Sequence, residues 1–160
     1  MAISYLSRDR PTSDASPLRR KPSLDDAEVN LRAGWAGILA GMFSGAALGL
    51  FFHREGWLGG YDSFPRRLTR LGHIAFFGLG FINILFAVSN RQLGLAPGPR
   101  RAASTSLLVG QATMPAVCFA TALWRPFRHL FFIPVASLLL AAANITFGAR
   151  DSHENWPHRR

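Results

Sequence analysis

The chain has 160 residues, 49% of them hydrophobic and 17% charged, with a formal net charge of +9 and a single cysteine. That length admits one domain, and the lone Cys118 excludes an intramolecular disulfide or a cysteine-rich metal site. A basic balance in a soluble protein points to nucleic acid, but here every acid and every base falls outside four apolar blocks. The charges therefore read as flanks of membrane spans, with no nucleic-acid partner.

Residues 1–30 are rich in Ser, Pro, Arg and Asp and show little periodicity, which predicts a disordered cytoplasmic tail. Asp14, Asp25, Asp26 and Glu28 argue against a mitochondrial presequence, although an organelle membrane stays open as an alternative location. Residues 31–150 form the predicted membrane domain, with spans at about 33–52, 71–90, 102–124 and 130–149. At about 1.5 Å of rise per residue each block matches a hydrocarbon layer of about 30 Å. The fold class expected is all-α, a four-helix transmembrane bundle, followed by a polar C-terminal tail at 151–160.

In span 1, Ala33 and the glycines Gly37, Gly41, Gly45 and Gly49 repeat a small residue every fourth position, a helix-packing groove where another backbone approaches closely. This stripe is expected to draw span 1 against spans 2 to 4. The loop after it carries Trp57 and Tyr61, and Asp62 or Ser63 is placed to cap a helix with Pro65 in its first turn. That helix carries Arg66, Arg67 and Arg70 ahead of the apolar block that starts near Leu71. Gly94, Pro97 and Pro99 mark the next loop; span 3 includes Pro115, and span 4 starts near His129 and includes Pro134.

If the N-terminus is cytoplasmic, twelve bases fall on the inner side and six on the outer side. Positive-inside bias then predicts both termini inside, and seventeen arginines to one lysine lean toward a bacterial cytoplasmic (inner) membrane.

Two tiers of polar side chains stand out within the spans. Asn83, Gln111 and Asn144 lie on the small or polar face of their helices and predict an interhelical amide core. His53, His73 and His129, judged from the ends of the apolar blocks, are expected at one membrane depth. Imidazoles so arranged are candidates to bind haem b or a metal, with Arg66, Arg67, Arg70, Arg125 and Arg128 near enough for propionates. The same estimate puts Ser44 about 14 Å in depth from any histidine, too far for a nucleophile–base pair. No Asp, Glu, Lys or Arg lies within a span, so a proton-coupled carrier lacks its usual residue.

No catalytic residue is assigned, and an enzyme is the less favoured reading. The expected function is a non-enzymatic subunit or assembly partner of a larger membrane complex, in contact with the lipid bilayer and with other subunits. The alternatives are a small haem b or metal-binding electron-transfer protein using the three histidines, and a lipid- or quinone-binding protein using the amides.

Overall fold

The computed structural model describes residues 26–154, excluding the side chains of Arg91 and of 149–154. Among them there is no strand: the chain folds as α1 (Asp26–Phe51), α2 (Phe64–Leu93), α3 (Pro97–Leu123) and α4 (Phe132–Glu154), with short 3₁₀ turns at Trp57–Gly59 and Arg125–Phe131. Four segments, Asp26–Phe51, Phe64–Asn90, Pro97–Leu123 and Arg125–Gly148, are long and apolar enough to cross a membrane. They are compatible with a multi-pass membrane protein. Exposed Phe43, Leu50, Phe81, Leu85, Leu139 and Phe147 suggest contact with lipid.

The helices are longer than the apolar blocks at both ends of the molecule. α1 starts at Asp26 rather than near residue 33, so 26–30, expected in the disordered tail, are helical; the rest of that expectation lies outside the described residues. Acidic Asp26 and Glu28 in the first turn suit the positive end of the helix dipole, Glu28 pairs with Arg32 one turn on, and Asp26 pairs with Arg100 of α3 at 3.3 Å. α2 starts at Phe64. Ser63 is its N-cap, its Oγ accepting from Arg66 N at 3.3 Å, and Pro65 occupies the first turn where no backbone donor is needed. Gly94 ends α2 in the left-handed conformation (φ 59°), and only Gly94, Leu95 and Ala96 separate it from α3. α4 continues to Glu154, so the expected polar tail is helical in its first residues, and 155–160 lie outside the described region.

α1 packs on α2, α2 on α3, and α3 on α4, with a smaller contact between α1 and α3 and no substantial one between α1 and α4. The glycine face of span 1 therefore meets spans 2 and 3 and not span 4. α1, α2 and α3 enclose a polar seam. α4 covers the far side of α3, where its Ala141 joins Ala103 and Leu107 of α3, Phe86 of α2 and Leu95 of the α2–α3 loop in an apolar cluster, with Leu138 filling the space over Gly110.

Candidate functional site

The α1–α2 contact is set by missing side chains. A Cβ at Gly34 would stand 2.7 Å from Gly80 O, and one at Gly80 would stand 2.8 Å from Gly34 O, so the backbones cross in direct contact. Two turns along α1 from Gly34, a Cβ at Gly41 would meet the Phe77 ring at 2.7 Å; a further turn along, one at Gly45 would meet His73 Cε1 at 2.6 Å. Gly37 faces both α2 and α3, with Gln111 Nε2 2.7 Å from its would-be Cβ. Gly49 faces open space within 4 Å and takes no part in this packing.

Below the crossing, toward the chain termini, lies a continuous hydrogen-bond relay through three helices. Ser104 of α3 donates to Asn30 Oδ1; Asn30 Nδ2 donates to Asn83 Oδ1 at 2.6 Å; Asn83 Nδ2 donates to Gln111 Oε1 at 2.7 Å; Gln111 Nε2 donates to Ala33 O at 2.6 Å. Asn83 also donates to Leu79 O at 3.0 Å. Asn30 and Asn83 are fully buried, and every amide points its donors at the next acceptor, the arrangement that strengthens a chain of dipoles in a low-dielectric interior. Two of the three expected amides are thus joined. Asn144 is not: it is half-buried on α4 and donates to Leu140 O of its own helix at 2.7 Å. Asn30 and Ser104 complete the relay. Asn30 falls in the stretch expected to be a disordered tail, yet it continues the Gly34–Gly37–Gly41 face one turn back, and that spacing is its signal in the sequence.

The three histidines do not share a level. His73 packs on Gly45, about two turns before His53, which is roughly 12 Å along the helix axis. The cause is the antiparallel register. α2 starts alongside the end of α1, and buried Arg66 donates to Phe52 O at 2.9 Å, capping the terminal carbonyls of α1. The rings of Phe52, Trp57 and Tyr61 surround its guanidinium at 5.3, 5.7 and 5.3 Å. Three turns of α2 are then already inside when the chain reaches His73. His53 and His129 are exposed.

This register also corrects the distance expected between Ser44 and histidine: Ser44 Oγ lies 3.0 Å from His73 Nδ1. The hydroxyl proton is engaged elsewhere, since Ser44 donates to Gly41 O at 2.9 Å. Both contacts are satisfied together only when Nδ1 carries the ring proton and donates to Ser44. In that tautomer His73 holds the serine rather than activating it. The described acids all lie at helix ends or in loops, so no carboxylate orients the imidazole as a nucleophile's base requires. The ring stacks edge-on against Phe77 at 5.3 Å.

Among the described residues no three His, Cys, Asp or Glu side chains are grouped to hold a metal ion. A haem iron with two of these imidazoles needs them to converge, and His73 is separated in depth from His53 and already packed. Any Soret band of the purified protein is therefore expected to persist in His73→Ala; a band lost on that substitution would overturn this geometry.

What remains open beside the seam is a groove of about 290 Å³ between α1 and α3. Ala33, Ala36 and Ala40 form one wall, Ala112 and Leu108 the other, and Phe76 of α2 closes the floor near Gln111. No protein-family model, curated protein or solved structure matches this chain.

Proposed function

We propose that this chain is a multi-pass integral membrane protein serving as a non-enzymatic subunit or assembly partner of a larger membrane complex. The observation carrying this reading is the α1–α3 groove. Its walls are alanines at steps of three and four residues, with Gly37 between them. In lipid, helix association depends on close packing between small residues, and this groove offers such a surface to one transmembrane helix of another subunit. Gly34, Gly37, Gly41 and Gly45 face α2 and α3, so the alanine flank is the surface left for a partner. Among the described residues no acid orients the Ser44–His73 pair, and the amide relay is internally satisfied. Twelve bases against six favour both termini on the cytoplasmic side, and seventeen arginines to one lysine favour a bacterial cytoplasmic membrane.

Extraction from the native membrane in mild detergent, followed by native mass measurement, tests the reading. Wild type is expected to run as a complex of fixed stoichiometry. Ala36→Phe and Ala40→Phe fill the groove and are expected to release the partner, whereas Gly49→Phe, whose new side chain meets nothing, retains it. A stable lone monomer for wild type sinks the proposal, and so does a complex indifferent to both alanine variants.

A further inference from the structure

On a different face, at the end of the molecule where α2 begins, two rows of side chains run side by side. On α2 the row is Phe64, Leu71, Ala75, Gly78 and Ile82, spaced as one stripe of an α-helix. Facing it, Arg125, Arg128 and Phe131 are three residues apart in a 3₁₀ turn, whose period of three puts them on one side. At the start of this face is a cavity of about 220 Å³ lined by Phe64, Arg125 and Arg128, with the Arg125 guanidinium 5.8 Å from the Phe64 ring centre. Further along the same two rows is a second opening, a groove of about 420 Å³ with an entirely apolar lining, bounded by the α2 stripe from Leu71 to Ile82 with Phe131 and Met114 opposite. Neither arginine forms an ion pair with a described acid; the pairs present are Arg32–Glu28 and Arg100–Asp26.

We infer that this cleft is a binding site for one anionic phospholipid, its phosphate between Arg125 and Arg128 and one acyl chain in the groove below. The geometry fits that occupant in two respects. The groove from Leu71 to Ile82 is about 16 Å long at the rise of an α-helix, close to half of a hydrocarbon core of about 30 Å, the depth of one leaflet. The charged end sits where four-span embedding places the headgroups, and two guanidiniums without carboxylates are complementary to a phosphodiester anion. Gly78 is the floor of the groove: a Cβ there meets nothing within 4 Å, so the space above it belongs to the occupant.

The inference takes from the proposed function only that the chain is embedded in a bilayer. Its test is native mass spectrometry of the full chain in detergent titrated with dioleoylphosphatidylglycerol or dioleoylphosphatidylcholine. Wild type is expected to retain a single phosphatidylglycerol and to discriminate against phosphatidylcholine. Arg125→Gln and Arg128→Gln, both at exposed positions, should each weaken that affinity about five-fold, and together about thirty-fold. Gly78→Phe occupies the groove without touching the protein core and should abolish retention with helicity unchanged. Equal retention of the two lipids, or retention insensitive to the arginines, overturns the site. Loss with the arginines but none with Gly78→Phe reduces it to an anion contact and overturns the lipid assignment. Failure of wild type to enter phosphatidylcholine nanodiscs overturns the embedding itself, which the other outcomes leave standing.

Discussion

Gly80→Leu is expected to destabilise the protein by about 3 kcal/mol or more. At Gly80 the obstacle is backbone: the new Cβ would stand 2.8 Å from Gly34 O and 3.2 Å from Ile38 N, and neither can swing away as a side-chain tip can. The helices must separate, and dispersion contacts along the face weaken steeply with such a gap. In lipid there is no compensating hydrophobic gain, because the exposed surfaces simply take up acyl chains. Separation also stretches the Asn30–Asn83 hydrogen bond one turn away, coupling the crossing to the relay. Gly78→Leu, two residues earlier, supplies the control. It makes the same chemical change on the same helix, but its Cβ points into open space, so stability should stay within about 0.5 kcal/mol of wild type. Unfolding in mixed micelles, followed by helicity against denaturing detergent, measures both. Equal stabilities for the two variants would mean that the backbones do not cross at Gly34 and Gly80.

That contrast between Gly78 and Gly80 marks what the sequence makes legible. Helix periodicity separates the two positions, because Gly80 shares the face of His73, Asn83, Ala87 and Asn90 and Gly78 does not. The same reasoning puts Ser104, Gln111, Pro115, Cys118 and Ala122 on one face of α3, and all five are buried. Faces are legible because side-chain direction is a local property of the helix. Depth is less so. Apolar blocks report where hydrocarbon begins, whereas relative depth depends on where each helix starts. α2 begins at its Ser63–Pro65 cap, well before its apolar block, and α1 begins at Asp26, well before Ala33. Depths measured from the blocks therefore put His73 level with His53, exclude Ser44 from contact, and leave Asn30 in a tail. Counting from the cap puts His73 about three turns into α2, where it meets Gly45. Pairing between helices is a tertiary property, and Asn144 illustrates its consequence. It lies on the small-residue face of its helix like Asn83, yet α4 packs chiefly on α3, and Asn144 does not reach the seam where the other amides meet.

Asn83 is where the relay from Ser104 to Ala33 is most exposed to a single change. Asn83→Ala removes an acceptor from Asn30 and a donor to Gln111 at once, leaving Asn30 Nδ2 and Gln111 Oε1 buried without partners. An interhelical hydrogen bond in a membrane protein contributes about 0.6 kcal/mol on average and about 1.7 at most. An orphaned buried polar group costs about 1–3 kcal/mol, so the two left behind outweigh the bonds lost. The expected destabilisation is about 2–3 kcal/mol. Because the loss arises from partners rather than from Asn83 alone, Asn30→Ala added to Asn83→Ala should cost much less than Asn30→Ala in the wild type, with a coupling of about 1 kcal/mol or more. Asn144→Ala breaks only a bond to a carbonyl of its own helix and should change stability by less than about 0.5 kcal/mol. A double-mutant cycle on Asn30 and Asn83, with Asn144→Ala beside it in the same unfolding assay, reads all of these differences. Additive effects at 30 and 83 would show that no relay joins the helices. Because Gln111 also borders the α1–α3 groove, such a result would remove the fixed amide from beside the proposed docking surface as well.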